Sequence, residues 1–355
     1  MSLLYSEIED QLRAAVRDLL ADKTSPGAAD DGGLWKALAR DIGVAGLLIP
    51  EELGGAGASA REAAVVLEEL GRTVAPVPFL TSAVLATRAL LAADAAEVGD
   101  LLERLAVGES TAALAVPFAS SPYRPAGADV RVKESVISGR IAAVAGADVA
   151  DVLLVPVEAG LAVVAADDPG VTVTPVTSLD TTRVVATVDL ASADARIVAT
   201  EPGALRDSLA FGAGLLASEQ LGIAEWCLDS TVGYLRERTQ FARPVGSFQA
   251  LKHRLADLWL EIVGARAACR NAADQLASGW SQSARVAVAV AQAHCGAVAV
   301  HAAEECVQLH GGIGMTWEHP AHLYLKRAKA DEIALGTPGD HRDALADLAD
   351  LPAPA

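Results

Sequence analysis

The segment Val163-Val164-Ala165-Ala166-Asp167-Asp168-Pro169-Gly170-Val171-Thr172-Val173 reads as two β-branched runs either side of a strong turn signal. Asp and Pro bend the chain by a local side-chain bond and a fixed φ, and Gly tolerates a positive φ. With these two, the runs of this kind lie at residues 112–116, 130–137, 152–157, 161–165, 171–175 and 184–190. Clusters of Gly, Pro, Asp and Ser separate them, which predicts an all-β domain of sandwich or barrel type over residues 111–201.

Helical patterns flank this β region. Ile8, Leu12, Val16 and Leu19 recur at spacings of four, four and three, one apolar stripe of a helix over residues 5–22. A short helix is expected over 35–42. Residues 49–57, Ile-Pro-Glu-Glu-Leu-Gly-Gly-Ala-Gly, then break the pattern. Ser59, with Glu62 three residues on, is the signature of a capping box for a helix over 61–70. Pro76 and Pro78 end that helix, and residues 80–105 return to Ala- and Leu-rich helix.

Beyond residue 202, Phe248, Leu251, Leu255, Leu258 and Ile262 are spaced like the seam of a coiled coil. The alternation Ala287-Val288-Ala289-Val290 imitates a strand. The stretch from 282 to 309 has only Gly296 as a breaker, however, so length decides for a buried helix. The expected architecture is α+β and multidomain: a helical domain (1–110), the β domain (111–201), a helical bundle (202–351) and a Pro/Ala tail (352–355).

The chain has 355 residues, enough for more than one core, and is 52% hydrophobic with only 4% aromatics, so small aliphatic side chains must fill its interior. Its formal charge of −18 disfavours nucleic acid and anionic membrane surfaces, which are bound through Lys and Arg. Cys227, Cys269, Cys295 and Cys306 show no metal-ligand spacing. His310 stands one turn from Cys306 without a third ligand, so no metal site is expected. No basic segment followed by an apolar run opens the chain, and residues 286–300 are interrupted by Gln292 and His294. A soluble, cytoplasmic protein without a membrane span is the expectation.

Two motifs say more than periodicity. The run Arg238-Thr239-Gln240-Phe241-Ala242-Arg243-Pro244, continued by Phe248-Gln249 and by Leu255-Ala256-Asp257, resembles the R-x-QF-x-x-P…FQ…LAD motif of the acyl-CoA dehydrogenase family. Gln308-Leu309-His310-Gly311-Gly312-Ile313-Gly314, followed by Glu318-His319-Pro320, resembles that family's Q-x-x-GG-x-G…E-x-P stretch. Residues 49–57 and Glu68-Glu69-Leu70-Gly71 resemble its amino-terminal domain.

The resemblance implies a middle β domain between an amino-terminal helical domain and a carboxy-terminal four-helix bundle. It also implies FAD as cofactor, an acyl-CoA thioester as substrate, an electron-transfer acceptor and an oligomer. It assigns Arg238, Gln240, Phe241, Phe248, Gln249, Gln308, Gly311, Gly312 and Thr337 to the cofactor. Arg238 would pair with the pyrophosphate, and the glycines would let backbone approach it. In the family the two motifs act across neighbouring subunits.

The sequence departs from the family where the catalytic carboxylate belongs. One family position for that Glu falls on Leu335 and the other on Gly212, and neither residue accepts a proton. The ring-lining stretches fall on residues 116–121 and 141–144, which carry no Trp. Glu219 and Glu332 are the nearest substitute acids, each with a solvated or ion-paired carboxylate as the plainer reading. Asp340 and His341 read as a helix cap and first turn. Two functions follow. The chain is an FAD-dependent acyl-CoA dehydrogenase with an unusual base, or a non-catalytic subunit that lends part of the FAD site to a related chain. Another flavin reaction on the same fold is a further alternative.

Overall fold

A computed structural model describes residues 3–28, 32–125 and 129–351, so the expected tail at 352–355 lies outside the described residues. Helix α1 (Glu7–Lys23) opens on a Ser6–Glu9 capping box. Helix α2 (Gly33–Lys36) runs into a π-helical turn at Ala37–Ile42. The Pro/Gly segment holds a 3-10 turn at Glu51–Leu53, and α3 (Ala60–Thr73) follows. Ser59 caps α3, and the Ser59 N–H donates to Glu62 at 2.9 Å, as the sequence predicts. The single helix expected over 80–105 is divided. A π-helical stretch, Phe79–Ala86, leads into α4 (Thr87–Leu90), and Asp94 then caps a separate α5 (Ala95–Ala106) by accepting from the Ala96 N–H.

Among the described residues the β domain has eight strands: β1 (Ala112–Leu114), β2 (Asp129–Lys133), β3 (Val136–Ala145), β4 (Val152–Val157), β5 (Gly160–Ala165), β6 (Val171–Val176), β7 (Val185–Asp194) and β8 (Arg196–Ala199). They form two four-stranded sheets, ordered β1-β4-β5-β8 and β2-β3-β7-β6. Leu153, Val155, Ala162 and Val164 of one sheet share a buried cluster with Ile137, Ile141, Val188 and Leu190 of the other. This is a sandwich; neither sheet closes into a barrel. The run at 130–137 is divided at Glu134 (φ 58°), which turns β2 back onto β3. The Asp-Asp-Pro-Gly turn is present, with the Gly170 N–H donating to Asp168 Oδ1 at 2.7 Å. It carries the chain from β5 in one sheet to β6 in the other.

Helix α6 (Ala204–Glu237) is followed by a two-residue ladder of β9 (Thr239–Gln240) and β10 (Arg243–Pro244), then α7 (Gln249–Ala277), α8 (Gln282–Leu309), α9 (Ala321–Ile333) and α10 (Pro338–Leu348). Helix α8 is long and apolar enough to cross a membrane, but 67% of its most apolar window is buried inside the protein. In the α7 seam Leu258 and Ile262 are buried, while Phe248, Leu251 and Leu255 are half-buried. Helices α3 and α6 cross backbone to backbone. A Cβ on Gly71 would lie 2.1 Å from the Glu219 carbonyl oxygen, and one on Gly222 would lie 2.0 Å from that of Glu68.

Candidate active site and cofactor-binding edge

Helix α6 stops at Arg238, its C-cap, because the backbone turns extended there and Phe241 and Ala242 take positive φ (53° and 59°). That turn pushes Phe241 outward until it is 86% exposed. Its ring meets Phe248 edge-on at 6.2 Å, and the Arg243 guanidinium lies 3.9 Å from the Phe248 centroid. Gln249 opens α7 and is exposed. Helix α8 ends one residue after the exposed Gln308, and Gly311 takes the left-handed φ of 61° that favours a glycine there.

The two motif segments adjoin, since Tyr234 of α6 stacks on His310 at 4.6 Å between centroids. Among the described residues, no ion pair holds the Arg238 guanidinium, and no hydrogen bond engages the side chains of Gln240, Gln249 or Gln308. Thr337 differs. Its hydroxyl donates to Asp340 Oδ2 (2.7 Å) and accepts from the Asp340 N–H (3.2 Å), capping α10.

The two positions where the sequence lacks a base come together in space. A Cβ on Gly212 would lie 2.3 Å from Leu85 Cδ2 and 3.3 Å from Leu335 Cδ1. Leu335 is fully buried and strained at φ 54°, and its backbone is held on both sides. The Leu335 N–H donates to the Phe118 carbonyl at 2.9 Å, and His341 Nε2–H donates to the Leu335 carbonyl at 3.1 Å. His341 Nδ1 is then left to accept from the Tyr123 hydroxyl at 2.9 Å. Burial holds the His341 imidazole down to a pKa of about 4, so it stays neutral at neutral pH. The Phe118 N–H donates in turn to Ala143, which zips the 116–121 and 141–144 stretches together. Thr81, Leu85, Leu114, Val116, Phe118, Ala145 and Leu335 line what remains, a cavity of about 10 Å³. That is about the room of a single water.

Glu219, the nearest substitute base, sits in a buried ion cluster. Both of its oxygens lie 2.7 Å from Arg183 Nη2, and Oε1 also accepts from Arg327 at 2.5 Å. Burial pushes its carboxyl up, but the two guanidiniums outweigh that and hold it below the usual carboxylate range. Arg327 further binds Asp180 (2.6 Å) and Thr182 (2.7 Å), and Arg183 binds Asp331 (2.6 Å). The Arg183 guanidinium also lies 5.3 Å from the Phe118 ring centroid. Periodicity does not reveal this cluster, because its members are spread from Asp180 to Asp331. Glu332 is half-buried on α9, and among the described residues no His/Cys/Asp/Glu group has the form of a metal site.

Helical, β and helical layers, with α6 joined to α8 along one edge, are the frame in which the two motif segments meet. Residues 6–109 match the family described as acyl-CoA dehydrogenase, N-terminal domain, and residues 203–348 match the acyl-CoA dehydrogenase, C-terminal domain. The acyl-CoA dehydrogenase IpdE2 of Mycobacterium tuberculosis is 38% identical over 347 residues, 94% of each chain. A chain of the ChsE4–ChsE5 complex from the same organism is 30% identical with a TM-score of 0.84, covering 99% of this chain and 100% of that one. A chain of the Tcur3481–Tcur3483 steroid ACAD is likewise 30% identical, with a TM-score of 0.85 and coverage of 97% and 98%. The chain belongs to the acyl-CoA dehydrogenase family, oxidoreductases acting on the CH–CH bond of an acyl-CoA.

Proposed function

We propose that the chain works as the non-catalytic subunit of a mixed acyl-CoA dehydrogenase oligomer. In this reading it lends its α6–α8 edge to FAD, while a related chain supplies the carboxylate base and the acyl pocket. One observation carries this choice. Gly212 and Leu335, the two places a base would occupy, face one another with no acid between them, and Leu85, Phe118 and Leu335 fill the space.

The fit to FAD divides at the middle of the cofactor. The dinucleotide half suits this chain, because Arg238, Gln249 and Gln308 are exposed with uncommitted donors and Gly311 and Gly312 have open space around them. Arg238 would hold pyrophosphate oxygens by charge-assisted bonds, and Gln249 and Gln308 would orient polar groups of the nucleotide. The end of the site where a base belongs is closed instead, because the cavity between Leu85, Phe118 and Leu335 measures only about 10 Å³. When bound, FAD supplies hydride acceptance; abstraction of the α-proton falls to the partner chain in this reading.

The exposed apolar side chains fit assembly. Phe241, Met315 and Trp317 are 86%, 83% and 79% exposed on the segments that carry the two motifs. Large apolar groups left wet in this way mark an interaction surface. The similar ChsE4–ChsE5 structure is itself a complex.

Purification with and without co-expressed acyl-CoA dehydrogenase chains tests the proposal. The expected result is a colourless protein alone and a yellow complex holding one flavin per two chains. A yellow protein that, alone, reduces an artificial acceptor with acyl-CoA would overturn it.

A further inference from the structure

The ion cluster behind Phe118 contains two buried acceptors without donors, Asp331 Oδ2 and Gln220 Oε1. The two residues are already joined, since Gln220 Nε2 donates to the Asp331 backbone carbonyl at 3.1 Å. Turning the amide round would not cure the defect. Gln220 Nε2 also faces Gln292 Oε1 at 3.4 Å, and Gln292 Nε2 is committed to the Ala213 carbonyl, so the amide orientations support one another. Gln220, Gln292 and Asp331 are each at most 1% exposed.

The charge count is unbalanced in the same place. Two guanidiniums, Arg183 from the segment before β7 and Arg327 from α9, face three carboxylates. These are Asp180 from the same segment as Arg183, Glu219 from α6 and Asp331 from α9. Five ionised groups would leave one uncompensated negative charge in the interior, which is costly. Glu219 and Asp180 each contact a guanidinium and hold their ionised form. Asp331 meets Arg183 through Oδ1 alone.

We propose that Asp331 is a neutral carboxylic acid in the folded protein, with its proton on the unpartnered Oδ2. One proton there makes the cluster neutral. The cluster clamps the β domain, through Asp180, Thr182 and Arg183, onto α6 and α9. Loss of the proton places a repulsive charge inside that clamp, so it is a pH-sensitive fastening between the β domain and the bundle.

Burial first, and then the charge of Glu219, raise the Asp331 carboxyl to a pKa of about 8, against 3.8 for an unperturbed one. Its sign follows. Between about pH 4 and pH 8 the folded chain holds a proton that the unfolded chain has released. The stability this group contributes is therefore fully present below the unfolded pKa and is lost as pH rises through the folded one.

The experiment compares wild type with Asp331→Asn, whose amide donates as the acid does but cannot ionise. Urea unfolding is followed between about pH 5 and pH 7. The wild-type unfolding constant is expected to rise about tenfold per pH unit relative to that of Asp331→Asn, the signature of one proton. Parallel pH profiles would overturn the proposal and leave Asp331 ionised. Should the variant fail to fold, proton release is measured on the wild type by calorimetry in buffers of different ionisation enthalpy. A carboxylic-acid infrared band that disappears above about pH 8 supports the assignment, and its absence at pH 6 overturns it.

Discussion

Leu335 acts as a plug. Its side chain fills the place of a base, and its backbone is bonded to the β domain at Phe118 and to α10 at His341. Restoring an acid is therefore not enough to restore chemistry. Leu335→Glu is expected to give no acyl-CoA-dependent reduction of an artificial acceptor by the chain alone, because the cavity beside it holds about one water and no acyl chain; measurable turnover would refute the plugged site. Leu335→Ala is expected to cost about 2–5 kcal/mol, the range for a buried leucine, read from the urea midpoint. Arg238 tests the other half of the site. In a co-expressed complex Arg238→Ala is expected to lower flavin retention at least tenfold while thermal unfolding of the chain alone is unchanged. The motif spacing singled out Arg238, Gln249, Gln308, Leu335 and Gly212 in the sequence. What it did not carry was that Leu335 and Gly212 face one another, because they stand 123 positions apart and only the fold brings them to one point.

At the level of elements, local chemistry decided what could be read. The Ser59–Glu62 box and the 28-residue α8 were legible because caps and length are encoded in neighbouring residues. The four-residue β8 was missed, being too short to show alternation, and the break before α5 depends on Asp94, one capping residue inside an apolar stretch. The pairing of β5 and β6 with different partners is a property of the sheets and not of the turn between them. The α3–α6 crossing gives a sharp test. Gly222→Ala would drive a methyl to 2.0 Å from a carbonyl oxygen on α3, so the helices must part. A loss of about 3 kcal/mol is expected from denaturant titration, and an unchanged midpoint would show that the crossing is looser than described.

For the whole molecule, the β sandwich has a core of its own, whereas the two helical layers do not divide so cleanly. Leu209, Leu215 and Leu216 of α6 belong to the cluster that fills the amino-terminal layer, and Leu221, Ile223 and Cys227 of the same helix belong to the cluster inside the bundle. One uninterrupted rod of 34 residues, roughly 51 Å long at the usual rise per residue, is thus a wall common to both rooms. Neither can melt and leave the other enclosed. Scanning calorimetry is expected to show the helical layers leaving together in a single endotherm; two well-separated helical transitions would contradict it. A protease able to cut only within the first half of α6 would, for the same reason, undo packing at the far end.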